Sequence, residues 1–142
     1  MPDSITTRAF CEDDYSSVVQ LWQQSEGVEI AEGDDQASMG GYLKRNPNLS
    51  RVAVRGNAIV GAVLCGHDGR RGLIYHLAVR VEERGQGLGR MLVQECVAGL
   101  RACGIKRALI LVAHGNTAGR SFWQARGFEL IAGAVPFGID IE

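Results

Sequence analysis

The stretch from Ile74 to Leu100 constrains the fold most, because its pattern changes from strand-like to helix-like across a cluster of glycines. Residues 77–79 are short and apolar, as in a buried strand. Three glycines at alternate positions follow, in the sequence Arg84-Gly85-Gln86-Gly87-Leu88-Gly89. From Leu88 onward the apolar residues recur with a helical period of about 3.6 residues. The pattern predicts a strand, a glycine-rich turn and an amphipathic helix.

A glycine-rich turn at the start of a helix is suited to binding an anion. The first helical turn has unpaired N–H groups and the positive end of the helix dipole, and glycine lets a phosphate approach them closely. A Walker loop is excluded, because it needs Gly-Lys-Ser/Thr where this chain has Gly89-Arg90-Met91. A dinucleotide fold expects an acidic residue about 20 positions further on. Residues 103–113 contain no acid, which weakens that alternative.

Composition and charge further limit the classes of protein to which this chain can belong. The chain has 142 residues, 46% of them hydrophobic, which predicts one globular domain over residues 1–142. The net charge of −1 argues against nucleic acid or an anionic membrane as a partner. No apolar run approaches the ~18 residues of a membrane span, and the N-terminus lacks the pattern of a secretory signal. The four cysteines have no C-x-x-C spacing, so we expect a cytoplasmic protein without a metal, with reduced, buried cysteines.

Apolar periodicity along the chain predicts a mixed sheet of the α/β class, with helices on both faces. The predicted order is β-α-α-β-β-β-α-β-α-β-β. The strands at 73–79 and 108–113 are expected to run parallel, because a helix crosses between them. Two closing strands are expected at 129–131 and 137–141, around Gly133 and Pro136. They are also candidates for pairing between two chains in a homodimer.

A second segment has the spacing Asn116-x-x-Gly119-x-x-Phe122-Trp123-x-x-x-Gly127-Phe128. Together with Arg84-x-x-Gly87-x-Gly89 after Leu77-Ala78-Val79, it resembles the GNAT family of N-acetyltransferases, whose last motif usually reads N-x-x-A-x-x-L-Y-x-x-x-G-F. The resemblance covers most of the chain and implies the GNAT acyl-CoA N-acyltransferase fold. It implies an enzyme that moves the acetyl group of acetyl-CoA to a primary amine by direct attack in a ternary complex. A non-catalytic acetyl-CoA-binding sensor or interaction module is the alternative.

The resemblance also implies which residues hold acetyl-CoA. Pantetheine would enter an opening beside the strand at 73–79 and pair with free backbone groups of Leu77 and Val79. The pyrophosphate would lie on the amides of the glycine loop, and Asn116 and Phe122 would line the arm. Asn116 is equally suited to be a helix N-cap. The expected cosubstrate-binding residues are Leu77, Ala78, Val79, Arg84, Gly85, Gln86, Gly87, Leu88, Gly89, Arg90, Asn116 and Phe122.

The implied chemistry needs a neutral amine. A lysine-like amine with a pKa of about 10.4 is neutral in about one molecule in 2,500 at pH 7, which costs ~4.6 kcal/mol. The family often places its base or water-binding group two residues before Leu-Ala-Val, which is Tyr75 here. Tyrosine is a poor base at pH 7 but can hold a water. His76 is the better candidate by chemistry, but strand alternation points it to the other face unless a bulge re-aims it.

Two further features of the sequence concern the group that would protonate the leaving thiolate and the surface that would bind the acceptor amine. Where the family usually has a tyrosine that protonates the leaving thiolate, this chain has Trp123. An indole N–H is not an acid at working pH, so Trp123 is expected to shape the site. Five acids and no base lie between Glu26 and Asp35, where the family usually builds its acceptor wall. They form either a solvated loop with an N-cap for the next helix or a surface that attracts a cationic amine.

Overall fold

The structure is a computed structural model that describes residues 4–142. It forms two compact units, Met1–Leu111 and Val112–Glu142. The elements of the first unit are β1 (Ile5–Ala9), α1 (Tyr15–Gln23), α2 (Gln36–Arg45), β2 (Arg51–Arg55), β3 (Ala58–His67), β4 (Gly72–Val79), α3 (Leu88–Ala102) and β5 (Ala108–Leu109). Short 3-10 turns at Glu12–Asp14 and Val81–Glu83 precede α1 and α3. The second unit contains α4 (Thr117–Ala125).

The strands of the first unit form one five-stranded sheet in sequence order, β1-β2-β3-β4-β5. The first four strands pair antiparallel with their neighbours, whereas β4 and β5 are parallel. The parallel pair follows from α3, which carries the chain back to the same end of the sheet. The mixed sheet and the parallel pair predicted from the sequence are thereby confirmed.

The two faces of the sheet are covered by different helices. Ala62 of β3 lies in one core cluster with Trp22 of α1 and Met39 of α2. Gly61 is the adjacent residue and faces the other side by strand alternation. There, a Cβ added to Gly61 would lie 3.2 Å from the side chain of Leu92 in α3. The sheet is therefore covered by α1 and α2 on one face and by α3 on the other, which confirms the predicted presence of helices on both faces.

Three strand predictions were wrong, one in the length of the strand and two in whether the strand forms. The strand expected at 108–113 is formed only at Ala108–Leu109, and neither closing strand, at 129–131 or 137–141, is present among the described residues. The apolar side chains of that last segment are exposed, Phe137 by 93%. A strand needs a hydrogen-bonded partner and an apolar surface to cover, and Gly133 and Pro136 interrupt the segment. Alternating apolar residues alone did not produce a strand here.

The cysteines are free, but only Cys65 and Cys96 are buried. Cys11 and Cys103 are exposed, which corrects the expectation that all would lie in the core. Cys11 follows β1 in a turn, and Cys103 is the C-cap of α3, so neither side chain lies on the apolar face of its element. No helix within residues 4–142 is long and apolar enough to cross a membrane.

The packing of α3 on the sheet makes a stability prediction. Leu92 is fully buried, whereas its neighbour Met91 is 40% exposed. Leu92→Ala should lower the free energy of unfolding by about 2–5 kcal/mol, because it removes buried groups and leaves a cavity. Met91→Ala should change it by less than about 0.5 kcal/mol. Urea unfolding of both variants measures the difference, and equal losses would contradict this orientation of α3.

Candidate active site

Strand β4 contains a β-bulge at His76. The register with β3 shifts at this point, so that two residues of β4, His76 and Leu77, lie opposite one residue of β3. His76 has a φ of +51°, in the left-handed region that few non-glycine residues adopt. A bulge changes the side-chain alternation of its strand. The side chains of Tyr75 and His76, although adjacent, therefore both lie on the α1 side of the sheet.

Ring contacts confirm this re-aiming of His76. Its imidazole packs edge-on against Trp22 of α1, with ring centroids 4.9 Å apart and an interplanar angle of 70°. Tyr75 packs against the same core cluster, and its ring centroid is 6.5 Å from that of His76. The bulge on which this orientation of His76 depends is present. The two candidate bases lie side by side.

The imidazole of His76 is hydrogen-bonded to Asp34, which belongs to the acidic segment 26–35. The Nε2 and Oδ2 atoms are 2.8 Å apart, and the two side chains are 20% and 12% exposed. The same carboxylate oxygen accepts the backbone N–H of Ala31 at 3.1 Å. The backbone carbonyl of Asp34 accepts the hydroxyl of Tyr15 at 2.6 Å. Asp34 is thus fixed by its own loop, by α1 and by β4.

This pairing determines which imidazole nitrogen is basic. An ionised carboxylate accepts hydrogen bonds and cannot donate one. In the neutral imidazole, Nε2 therefore carries the proton that is donated to Asp34, and Nδ1 carries the free lone pair. The indole N–H of Trp22 donates to the backbone carbonyl of His76 at 3.2 Å, which holds the bulge itself. The site can accept a proton at Nδ1.

Tyr75 has a different chemical character. Burial raises the pKa of its phenol above the ordinary value of about 10. The hydroxyl is therefore protonated at neutral pH, so it can donate a hydrogen bond but cannot accept a proton as a base. This agrees with the expectation that Tyr75 is a poor base. Its role in holding a water stays a prediction.

The sequence did not predict the pairing of Asp34, which is one of five acids in the segment 26–35. In the structure these acids have different partners. Asp35 is the N-cap of α2 and accepts the N–H of Ser38 at 3.1 Å, which confirms the predicted cap. The sequence contained one signal for this pairing. Two acids, Asp34 and Asp35, precede α2, and only one of them is needed to cap the helix. The remaining acids of the segment are exposed: Glu26, Glu29 and Glu32.

The loop between β4 and α3 presents an uncapped helix start. Gly87 is the N-cap of α3 with a φ of +81°, and no side chain within residues 4–142 caps the helix. The N–H groups of the first turn of this 15-residue helix therefore lack intrahelical partners. A Cβ at Gly85 or Gly87 would meet no described atom within 4 Å. A phosphate group fits this arrangement of free amides and open space.

Beyond its first residues, β4 has no paired strand among the described residues on the edge that faces β5. The two strands pair only at two positions at the start of β4. Further along, the N–H of Arg80 donates to the carbonyl of Val60 on β3 at 2.8 Å, so the backbone groups of Val79 point to the opposite, open edge. The prediction that these groups are free was wrong for one of them. The carbonyl of Val79 accepts Nε of Arg84 at 3.0 Å.

The other predicted loop residues differ in exposure. Leu88 is 3% exposed and anchors α3 in the core, while Gly89 is partly buried. The side chain of Ala78 belongs to the core cluster, so only its backbone is available to a ligand. Leu77 is partly buried. Of the predicted cosubstrate-binding residues, Arg84, Gln86 and Arg90 are polar and exposed.

The second predicted motif forms α4 and its two caps. Oδ1 of Asn116 accepts the N–H of Gly119 at 2.9 Å, which confirms the N-cap interpretation. The ring of Trp123 contacts Phe122 and Phe128, at centroid distances of 5.2 and 5.1 Å. The N–H of Phe128 also donates to the carbonyl of Trp123 at 3.0 Å. This is a Schellman motif with its apolar contact.

These contacts give Trp123 a local structural role. Gly127 occupies the left-handed position of the motif with a φ of +96°, as the sequence predicted. The guanidinium of Arg126 lies 5.3 Å from the ring centroid of Phe122, a cation–π contact on the same helix. The expected contributions of Asn116, Phe122 and Trp123 to binding and catalysis stay predictions.

Strand β4 thus carries His76 at its bulge and leads, through the glycine-rich loop, to the uncapped start of α3. The sequence profile of the Acetyltransferase (GNAT) family matches residues 12–128. An acetyltransferase of Pectobacterium atrosepticum is 29% identical over 124 residues, which is 87% of each chain. The chain belongs to the GNAT family of acetyltransferases, as its motifs predicted.

Solved structures show the same fold at lower identity. Ard1 from Thermoplasma volcanium superposes with a TM-score of 0.79 at 22% identity, over 90% of this chain and 84% of that one. A predicted acetyltransferase from Clostridium acetobutylicum, solved with acetyl-CoA, gives a TM-score of 0.75 at 18% identity, over 95% and 96% of the two chains. The GNAT fold expected from the sequence is confirmed.

The glycine loop makes a ligand-binding prediction. Replacing Gly87 by Val should abolish the rise in melting temperature that CoA produces, because the side chain would occupy the space above the free amides. Gly104→Val is the matched control, since Gly104 has the same φ of +81° at the other end of α3. Both variants should lose stability from backbone strain, but only Gly104→Val should keep the CoA-induced shift. An unchanged shift in Gly87→Val would contradict the loop assignment.

Proposed function

We propose that this protein transfers the acetyl group of acetyl-CoA to a primary amine by direct attack in a ternary complex, with Nδ1 of His76 as the proton acceptor. The observation that carries the proposal is the hydrogen bond between His76 and Asp34, which leaves Nδ1 as the basic atom. Membership of the family supports the acetyl donor. The related fold from Clostridium acetobutylicum was solved with acetyl-CoA.

The reaction follows from these groups. The lone pair of the neutral amine forms a C–N bond with the thioester carbonyl carbon. The C–S bond breaks and its electron pair leaves on sulfur, while the amine proton passes to Nδ1 of His76, directly or through one water. A thiol with a pKa near 8.5 leaves as the thiolate without a strong acid. Trp123 in place of the usual tyrosine is therefore compatible with turnover. The products are an N-acetyl amide and CoA.

Strand β4 and the loop between β4 and α3 supply the residues that would bind acetyl-CoA. The free amides at the start of α3 suit the pyrophosphate, and the open edge of β4 suits the amide-bearing pantetheine arm. The N–H of Val79 points to that edge and is a candidate donor for the negative charge that develops on the carbonyl oxygen. Since Arg84 covers the carbonyl of Val79, only the N–H of this residue is offered to the substrate.

An acceptor screen tests the proposal. Purified protein with acetyl-CoA should release CoA thiol in the presence of at least one primary amine from a panel of polyamines, amino acids, aminoglycosides and peptides. With that amine, His76→Gln should lower kcat by about 10²- to 10⁴-fold, the usual contribution of a positioned base. Tyr75→Phe should lower it less, because Tyr75 is protonated and does not accept the proton.

Two other results would replace this proposal. A rise in melting temperature with acetyl-CoA but no thiol release with any amine would favour a non-catalytic sensor. Stabilisation by NAD and not by CoA would favour a dinucleotide-binding protein. A kcat of His76→Gln equal to that of the wild type would remove His76 from the mechanism while leaving acetyl transfer in place.

We also propose that the acceptor amine is cationic. The support is the cluster of three exposed glutamates in the segment between α1 and α2. Asp34 is paired with His76 and Asp35 caps α2, so these three glutamates are the exposed acids of the segment for which no such bond is described. Exposed carboxylates attract a cationic substrate and raise its local concentration. A lysine-like amine would also depend on the base more than an amine of lower pKa does, since deprotonating it at pH 7 costs ~4.6 kcal/mol.

Substituting Glu29 and Glu32 together by Gln tests the charge of the acceptor. KM for the amine should rise about two- to tenfold, the range expected for the loss of two exposed charge interactions. KM for acetyl-CoA should stay unchanged and serves as the internal control. The effect should shrink as salt concentration rises. Equal changes in both KM values, or no change in either, would mean that the segment is only solvated surface.

A further inference from the structure

We infer that Asp34 is a positioning residue, which holds His76 in the tautomer with its proton on Nε2 and its lone pair on Nδ1. This inference rests on the proposed role of His76 and adds the group that orients it. Among the described residues, the hydrogen bonds of Asp34 are made to Ala31, Tyr15 and His76. Its contribution to acetyl transfer would be made entirely through the imidazole.

The first support is that Asp34 is itself held rigidly. Its Oδ2 atom receives the N–H of Ala31 as well as Nε2 of His76. Its backbone N–H donates to the carbonyl of Ala31 at 3.1 Å, and its backbone carbonyl accepts the hydroxyl of Tyr15. The residue is 9% exposed. A carboxylate fixed in this way fixes the ring that donates to it.

The second support is electrostatic. Among the described residues, His76 is the only side chain in a salt bridge with Asp34. The three exposed glutamates lie in the same segment, but Asp34 is the acid in contact with the ring. When Nδ1 takes the amine proton, the ring becomes positively charged beside this carboxylate. A partly buried pair at hydrogen-bond distance is stabilised more than an exposed one. Asp34 therefore lies beside the charge that the reaction would place on the ring.

A purely structural role for Asp34 is the competing explanation, since its contacts also tie the α1–α2 segment to the sheet. Asp34→Asn separates the two roles. The amide keeps the size of the side chain and an oxygen that can accept the N–H of Ala31. Because Oδ2 makes both contacts, the amide has two alternatives. Its oxygen can take that place, which keeps both hydrogen bonds without the charge, or its NH₂ group can turn to Nε2, which gives up the bond from Ala31 and permits the opposite tautomer. Asp13→Asn is the matched control, because Asp13 is exposed and undergoes the same loss of charge.

The kinetic test compares kcat in four variants: Asp34→Asn, His76→Gln, the double variant and Asp13→Asn. Asp34→Asn should lower kcat about tenfold or more, with KM for acetyl-CoA unchanged, while Asp13→Asn should match the wild type. In the His76→Gln background, Asp34→Asn should have no further effect, because it acts through the imidazole. Equal effects of Asp34→Asn in both backgrounds would overturn the inference. So would a wild-type kcat in Asp34→Asn while His76→Gln is impaired.

A spectroscopic test does not depend on turnover. The chain has three histidines, so ¹⁵N-histidine labelling and His76→Gln assign the His76 resonances directly. The wild-type protein should show a protonated Nε2 and an unprotonated Nδ1 at a pH where the ring is neutral. Asp34→Asn should give a mixture or the opposite tautomer, with melting curves as the control for folding. A protonated Nδ1 in the wild type would overturn the inference. The absence of acetyl transfer with this tautomer intact would count against the proposed function alone.

Discussion

The candidate site depends on the bulge at His76. In a regular strand the imidazole would lie on the face covered by α3, away from Asp34. The left-handed backbone of His76 is unfavourable for a non-glycine residue, by about 1–3 kcal/mol. Its backbone carbonyl receives the indole N–H of Trp22, and its ring is bonded to Asp34. These contacts, made by a buried tryptophan and a nearly buried acid, hold a conformation that an isolated strand would avoid.

Strand β4 links the two halves of the proposed chemistry. It carries the proposed proton acceptor at the bulge and leads through residues 80–87 to the free amides at the start of α3. Its antiparallel neighbour β3 and helices on both faces hold it in place. Its parallel neighbour β5 pairs with it only at the start, which leaves the later backbone groups on that edge without a β5 partner. Rigid support on one side and an open edge on the other suit a strand that positions a substrate.

Local features of the chain were predictable from sequence, because each depends on residues a few positions apart. This rule holds for Gly104 and Gly127, the glycines that follow α3 and α4. It holds also for the N-caps Asp35 and Asn116. The closing strands did not follow it, since a strand exists only through a partner that its own sequence does not specify. Trp123 shows the same limit. Its contact with Phe128 belongs to a local motif, whereas its role in catalysis concerns more distant groups and stays a prediction.

The sequence by itself determined the family, the mixed character of the sheet, the helix caps and the glycine-rich turn before α3, because hydrophobic period, glycine geometry and capping chemistry act over short stretches of chain. Only the tertiary structure decided which acid meets the imidazole. His76 and Asp34 are 42 positions apart, and their contact depends on the register between β3 and β4. Strand alternation predicts the face of a side chain only where the strand is uninterrupted. The bulge is a property of two paired strands, so the sequence of β4 alone does not place it.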